Sequence, residues 1–192
     1  MAHRAKERRV RYQVAASLNG CIAGPNGEAD WIPMDPDIDF AALYASFSAL
    51  VMGRRSYEIF VAEGAPPGPK MPVYVYSRTL PEGTRKGVTF ARDAVAHVRS
   101  LKAANPEAND EKPVWLWGGG ELFRQLAEAG EVDGVDVAVL PIVLGGGIQL
   151  MPTPGPRLPL RLKSHRLYPK SGTLFLEYDV ERAKAKGRKR KG

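Results

Sequence analysis

Three consecutive glycines, Gly118, Gly119 and Gly120, separate a strand-like apolar run at 113–117 from an amphipathic helical pattern that extends to about Gly130. The first N–H groups of a helix lack partners within the helix, and the helix dipole favours negative charge beside them. Glycine removes the side chains that would keep a phosphate away from these groups. The turn therefore predicts a phosphate-binding site, with a purely structural turn as the alternative.

A second candidate anion-binding segment lies upstream, where Gly53, Arg54, Arg55 and Ser56 follow a buried apolar run at 49–52. Guanidinium groups present forked donors that match phosphate oxygens in a way that lysine does not. A solvated helix start is the alternative for this segment taken alone. Two phosphate sites in one small chain indicate that the ligand is a dinucleotide.

Ser77 and Arg78 repeat this arrangement at the end of the next predicted strand, 72–77. A hydroxyl and a guanidinium at this place could bind a 2′-phosphate, the group that distinguishes NADP from NAD. An ordinary polar loop is the alternative. The pair therefore favours NADP.

Strand and helix patterns alternate through most of the chain and position these segments. Strands are expected at about 12–18, 49–52, 72–77, 88–91, 113–117, 135–144, 160–167 and 173–180, and helices at about 37–48, 54–62, 93–104 and from the glycine turn to 130. Crossover helices imply a largely parallel sheet covered on both faces, here ending in an antiparallel hairpin. Because ligands of such sheets bind beyond the carboxyl ends of the strands, all three segments fall where a ligand would bind.

The composition of the chain and the distribution of its charges exclude several classes of protein. Residues 1–11 carry a net charge of +4 and residues 181–192 a net charge of +6, so the body between them carries −3 of the total +7. We therefore expect a basic tail at 1–9, one domain at 10–180, a basic disordered tail at 181–192, and no specific nucleic-acid partner. No apolar run approaches the roughly 20 residues that span a bilayer, which predicts no membrane partner. The single cysteine, Cys21, is expected to be buried and fits a cytoplasmic location.

Several motifs occur together in one order. They are the segments 16–24, 30–31, 50–58, 77–79, 117–122 and 140–147. With them, residues 10–180 resemble the dihydrofolate-reductase-like superfamily, and more closely the reductase domain of bifunctional riboflavin-biosynthesis deaminase-reductases and their stand-alone relatives. The resemblance implies a three-layer α/β/α fold around a mixed, mostly parallel eight-stranded sheet with a C-terminal antiparallel hairpin. The zinc-binding deaminase half is absent, and we expect no metal.

The resemblance also implies NADPH as the cofactor and gives roles to residues. Gly53, Arg54, Arg55 and Ser56 would meet the adenosine-side phosphates, and Ser77 and Arg78 would lie near the 2′-phosphate. The pyrophosphate and its neighbouring ribose would meet Gly118, Gly119, Gly120, Glu121 and Leu122, with a cis peptide between the first two glycines. Ala16 and Ile22 would flank the nicotinamide, and the loop at 19–31 would close over it.

By the same resemblance the substrate is a pyrimidine- or pteridine-like heterocycle. The first candidate is 5-amino-6-(5-phosphoribosylamino)uracil, whose ribose carbon C1′ would accept hydride. A phosphate on the substrate requires further cations near the pocket, and the sequence does not identify them. The alternatives are a dihydrofolate reductase and a non-catalytic NADP(H)-binding sensor. Relatives of this kind also imply a homodimer.

Candidate catalytic residues follow from what hydride transfer needs. The cofactor carries the chemistry, while the protein aligns the reactants in a dry pocket and a polar group orients the heterocycle. Asp35, Asp37 and Asp39 compete for that role, and Asp37 is preferred because it lies 16 residues before Gly53, a spacing similar to that of the folate enzymes. Helix capping is the alternative for this acidic cluster. Trp31 is a second candidate, either as a substrate platform or as an anchor that fixes its loop to the core.

Overall fold

The computed structural model describes residues 7–62, 71–103 and 112–182. Of the two basic tails, residues 1–6 and 183–192 lie outside these ranges. In chain order the elements are β1 (Val10–Ser17), β2 (Cys21–Ala23), α1 (Phe40–Ala45), β3 (Ala49–Gly53), α2 (Arg54–Ala62), β4 (Val73–Tyr76), β5 (Gly83–Arg85), β6 (Val88–Ala91), α3 (Ala94–Ala103), β7 (Val114–Gly118), α4 (Gly120–Glu128), β8 (Gly134–Leu140), β9 (Ile148–Gln149), β10 (Leu160–Tyr168) and β11 (Thr173–Val180).

The main sheet has nine strands in the order β10-β11-β8-β1-β7-β3-β4-β6-β5. Its six central strands, β8 to β6, run parallel, while β10, β11 and β5 are antiparallel to their neighbours. The mixed, mostly parallel sheet and the C-terminal hairpin are therefore confirmed. The sheet has one strand more than the eight expected. The short segments β2 and β9 also pair with each other in a separate small sheet that the sequence did not predict.

The strands that carry the candidate site are covered by helices on both faces. Along β3, Val51 packs with α3 and α4, whereas Leu50 and Met52 pack on the opposite face with Phe60 of α2. Ring stacking between Tyr12 of β1 and Phe123 of α4, with centroids 4.1 Å apart, joins sheet and helix on the first face. Residues of β3 alternate between two cores, so its sequence reads as one continuous apolar run. The three-layer α/β/α arrangement is confirmed.

Helix α1 is shorter than the predicted span of 37–48. Its first residue is Phe40, because the N-cap is Asp39. The Asp39 carboxylate accepts a hydrogen bond from the Ala42 amide at 2.9 Å, which makes Asp39 the N-cap. A carboxylate at this position satisfies an amide that has no partner within the helix. Asp35 and Asp37 therefore precede the helix and do not cap it.

A buried ionic network joins β1, β8 and β11 at the end of these strands that lies away from the candidate site. The Arg11 guanidinium binds the Asp136 carboxylate through two hydrogen bonds, one of them 2.7 Å from Nε to Oδ2, and it also reaches Asp179 at 3.2 Å. Arg11, Gly134 and Asp179 are directly opposite one another on β1, β8 and β11. A side-chain carbon on Gly134 would lie 2.5 Å from Arg11 Nη1, so glycine is needed for the guanidinium to cross this strand.

Removal of one partner from this network should destabilise the fold strongly. The side chains of Arg11 and Asp136 are only 8% and 2% exposed, so loss of the Asp136 charge leaves a buried guanidinium with Asp179, at 3.2 Å, as its remaining counter-ion. We expect Asp136→Asn to lower the free energy of unfolding by about 3–5 kcal/mol, measured by urea denaturation. The matched control is Arg161→Gln on the exposed end of the same network, which should change it by less than about 1 kcal/mol. Equal effects of the two substitutions would contradict the assignment.

Candidate functional site

A cleft with a volume of about 2130 Å³ opens at the carboxyl ends of β3, β4 and β7. This volume exceeds the roughly 300–1,000 Å³ of sites for one drug-sized ligand, so the cleft has room for a dinucleotide and a second molecule. Most of the predicted cofactor residues line it, namely Ile22, Gly53, Arg54, Arg55, Ser56, Ser77, Arg78, Gly118, Gly119, Gly120, Glu121 and Leu122. The structure thus brings the three predicted anion-binding segments to one cavity.

The first two segments meet directly. A side-chain carbon on Gly53 would lie 3.9 Å from the Gly119 nitrogen, and one on Gly118 would lie 3.2 Å from Ser56 Oγ. The N-cap of α4 is Gly119, and no side chain caps the amides that follow. The peptide between Gly118 and Gly119 is cis, as the resemblance implied. Bare helix amides and the start of α2 therefore form one continuous surface of hydrogen-bond donors.

Gly120 serves a different purpose from the two glycines before it. A side-chain carbon at this position would lie 2.6 Å from the Gln149 carbonyl oxygen and 3.1 Å from that of Leu150. Both neighbours are backbone atoms and cannot rotate away. Gly120 therefore lets the start of α4 pack against the end of β9 and the residue that follows it. Sequence reasoning missed this role, since the pairing of β2 with β9 carries that segment to the helix.

Several arginines line the end of the cleft where the sequence predicts the cofactor phosphates. Arg54 pairs with Glu58 on the next turn of α2, with 3.2 Å between Nη1 and Oε1, while Arg55 and Arg78 are exposed. Arg92 also lines the cleft and was not predicted. Because Tyr76 of β4 is opposite Ala91 of β6, Arg92 leaves the sheet beside the loop that carries Arg78. The signal was available in the sequence, since an arginine lies one or two residues after each of these two parallel strands.

Ser77 holds the loop that presents Arg78. Its hydroxyl oxygen accepts hydrogen bonds from the Thr79 amide at 3.2 Å and the Leu80 amide at 3.0 Å, and the residue is 7% exposed. Such a hydroxyl stabilises a turn by replacing a backbone acceptor. Direct contact of Ser77 with a phosphate stays a prediction.

Glu121 and Leu122 occupy the first turn of α4 with different surroundings. The Glu121 carboxylate pairs with Arg124 at 2.7 Å and remains 72% exposed, whereas the Leu122 side chain is buried in the core. An acidic group in the first turn interacts favourably with the helix dipole. For Leu122 only the backbone is available to a ligand.

The other end of the cleft holds the residues expected near the nicotinamide. Ile22 of β2 lines the cleft, whereas Ala16 is 2% exposed and is replaced among the lining residues by Ala15. Asn19 fixes this region, since its amide group donates to the Leu144 carbonyl at 2.8 Å and accepts from the Leu144 amide at 3.0 Å. The buried cysteine beside it, Cys21, accepts a hydrogen bond from the Gln149 side chain at 3.2 Å.

The three candidate carboxylates have separate surroundings. Asp39 caps α1. Asp35 is 3% exposed, and hydrogen bonds from Ser171 and from the Asp37 amide hold its pKa below its ordinary value. Asp37 lines the cleft and binds Lys170, with 2.7 Å between Oδ1 and Nζ. Of the three, Asp35 is committed to the loop, and Asp37 presents a carboxylate at the rim that a substrate can reach.

Trp31 lies in its own loop. Its indole N–H donates to the Glu28 carbonyl at 3.0 Å, and the neighbouring Asp30 and Ile32 line the cleft while Trp31 does not. This bond holds the indole within its own loop, and both anchoring of the loop in the core and a catalytic role for Trp31 stay predictions. Within the ranges that the structure describes, no group of three His, Cys, Asp or Glu side chains could hold a metal ion.

Comparison with known proteins places these observations in a family. Residues 8–174 match the profile of the RibD C-terminal domain. The chain is 28% identical over 190 residues to the uncharacterized protein YyaP of Bacillus subtilis strain 168, covering 93% of this chain and 98% of that protein. A solved structure from Shewanella sp. PV-4, named for riboflavin biosynthesis, superposes with a TM-score of 0.74 at 24% identity and covers 91% of this chain and 99% of its own.

Dihydrofolate reductase from Enterococcus faecalis, solved in complex with NADP(H), has a TM-score of 0.65 at 16% identity and covers 91% of this chain and 97% of its own. Likeness at this level of identity shows the fold alone. The dihydrofolate-reductase-like fold expected from the motifs is therefore confirmed.

The different roles of Gly119 and Gly120 at the start of α4 can be distinguished by experiment. We expect Gly120→Ala to lower the free energy of unfolding by about 1–3 kcal/mol, because its methyl group would overlap the Gln149 carbonyl. Gly119→Ala is the matched control, since its methyl group would meet only Ser56 Oγ, at 3.3 Å, and a side chain can rotate. Thermal unfolding followed by circular dichroism measures both variants. A larger loss for Gly119→Ala would contradict the packing role of Gly120.

Proposed function

This chain belongs to the RibD C-terminal domain family of oxidoreductases, and from that premise we propose that it is an NADPH-dependent reductase of a pyrimidine- or pteridine-like substrate. The first candidate substrate is 5-amino-6-(5-phosphoribosylamino)uracil. One observation carries the proposal: uncapped main-chain amides at the start of α4 and a set of arginines line one cleft with room for two ligands.

The residues present fit a dinucleotide phosphate. Bare amides after Gly119 and the guanidinium of Arg55 supply donors on two sides of the same surface, and a side chain on Gly118 or Gly119 would intrude there. When bound, the nicotinamide cofactor supplies the hydride. Arg78 and Arg92 supply the positive charge that a 2′-phosphate requires, which supports NADPH over NADH.

The substrate end of the cleft supports the second half of the proposal. Ala15 and Ile22 present small and apolar surfaces that exclude water from the reacting atoms, and Asp37 provides a carboxylate at the rim. We assign Asp37 the task of orienting the heterocycle by accepting its N–H groups. Lys170 holds that carboxylate in place through an ion pair, with 2.7 Å between Nζ and Oδ1.

The proposed partners are a small-molecule substrate and a second copy of the chain, with no membrane and no specific nucleic acid. None of the described helices has the length and apolar character to cross a membrane. The homodimer stays a prediction. Strand β8 lies between β1 and β11 and has no free edge. Exposed apolar side chains occur instead on the hairpin, at Leu160, Leu162, Leu167 and Leu174.

Cofactor binding is the first test. We expect the protein to bind NADPH more tightly than NADH, and Arg78→Ala to weaken NADPH binding by about ten- to a hundredfold while leaving NADH binding unchanged. The reason is that Arg78 would contact only the 2′-phosphate. Fluorescence titration of each nucleotide gives the two dissociation constants.

Arg99→Ala is the control for this titration, because Arg99 is 59% exposed on α3 and pairs with Glu131 outside the cleft. Its affinity for both nucleotides should equal that of the parent protein. If the parent protein binds neither nucleotide, the proposed reductase is excluded.

Substrate turnover separates an enzyme from a sensor. With a substrate found by loss of NADPH absorbance in a metabolite screen, we expect Asp37→Asn to lower kcat/KM by about ten- to a hundredfold, since a neutral amide binds the heterocycle less strongly. Asp39→Asn removes the same charge from the same wall, yet asparagine caps a helix as well as aspartate, so activity should persist.

Tight NADPH binding without oxidation of NADPH by any pyrimidine or pterin would instead identify a sensor. Oxidation of NADPH by dihydrofolate and by no other compound in the screen would identify a dihydrofolate reductase. Equal losses in the Asp37 and Asp39 variants would remove the assignment of Asp37 as an orienting group.

A further inference from the structure

A row of four residues crosses the floor of the cleft. Arg166 of β10 is directly opposite Phe175 of β11, Phe175 is opposite Ala138 of β8, and Ala138 is opposite Ala15 of β1. Residues directly opposite one another project from the same face of a sheet, and all four line the cleft. Three strand spacings separate Ala15 from Arg166, a span of about 14 Å.

The character of the row changes along its length. At the β1 end, the methyl side chains of Ala15 and Ala138 leave depth for a flat ligand next to Ile22. Phe175 follows with an aromatic ring that is half-buried, and Arg166 ends the row with an exposed guanidinium. A ligand lying along the row would meet apolar surface at one end and a positive charge at the other.

A bulge in β10 places Arg166 on this face. Leu162 is opposite Tyr178 and Ser164 is opposite Glu177, so Lys163 is an extra residue in the strand. Because side chains alternate along a strand, the extra residue reverses the faces that follow it. Leu162 therefore projects from one face of the hairpin and Arg166 from the other, toward the cleft.

The charge of Arg166 is available to a ligand. Its guanidinium carbon lies 4.6 Å from the centre of the Tyr168 ring, a cation–π contact that orients the group without neutralising it. Among the described residues Arg166 has no ion-pair partner. Glu177 carries a carboxylate on the same face, but it is bound by the Ser164 hydroxyl and lies 3.9 Å from Lys163 Nζ.

We propose that Arg166 is a specificity residue that binds an oxyanion, a phosphate or a carboxylate, at the end of the substrate remote from the reacting atoms. The forked guanidinium matches the geometry of either group. This inference rests on the proposed function for the direction of the substrate, with the hydride-accepting atom at the Ala15 end. It supplies the cation that a phosphorylated substrate requires and that the sequence alone did not identify.

Nuclear magnetic resonance of the ¹⁵N-labelled full chain tests this subsite without turnover. The probes are D-ribose 5-phosphate, glutarate and, as the uncharged control, D-ribose. We expect at least one anionic probe to shift the Arg166 Nε–H resonance and the amides around Phe175, with no shift by D-ribose. Arg166→Gln should weaken that binding by about tenfold or more, and Arg166→Lys should restore part of it.

Arg161→Gln is the matched control, because Arg161 lies on the same strand but pairs with Asp179 away from the cleft. Its binding of the probe should equal that of the parent. Each titration is repeated with NADPH in excess, which blocks the anion sites of the cofactor. Binding by ribose 5-phosphate alone identifies a phosphate subsite, and binding by glutarate alone identifies a carboxylate subsite.

Three results would overturn the proposal: unchanged binding in Arg166→Gln with a native spectrum, equal binding of D-ribose, or displacement of the probe by NADPH. If NADPH fails to bind but binding of the anionic probe still depends on Arg166, the proposed reductase is excluded and the anion subsite is supported. The two ideas can therefore fail separately.

Discussion

Close main-chain packing at the start of α4 is the constraint on which the candidate site depends. Gly120 lies against the carbonyls of Gln149 and Leu150, while the Gly119 nitrogen lies beside Gly53. Three segments far apart in sequence are thereby held together without intervening side chains. Donors fixed in this way need no rearrangement when an anion arrives, which is what makes a preorganised site effective.

Stability and ligand binding are assigned to opposite ends of the same strands. Arg11, Asp136 and Asp179 form their buried network near the amino end of β1, whereas the cleft lies toward the carboxyl ends. The same face of the sheet therefore changes from an ionic surface to an open floor within a few residues. Such separation allows site residues to vary without disturbing the charges that hold the hairpin to the sheet.

Local sequence patterns were sufficient to predict the features that depend on residues close together in the chain. The glycine turn, the arginines after β3 and the alternation of strands and helices were all predicted in this way. Features that depend on pairing between distant segments were missed. They include β2 with β9, the packing role of Gly120, the position of Arg92 beside Arg78, and the division of labour between Asp35 and Asp37. Arg166 belongs with these, because its orientation requires a bulge that no composition pattern reveals.

The bulge at Lys163 also makes strand pairing a carrier of chemical information. A homologue of equal length in which this strand paired without the bulge would bring His165 opposite Phe175 and turn Arg166 to the other face of the hairpin, although its composition would be unchanged. Two such proteins could share the rest of the cleft and yet accept different ligands. The pairing of this stretch is therefore as informative about ligand choice as a substitution.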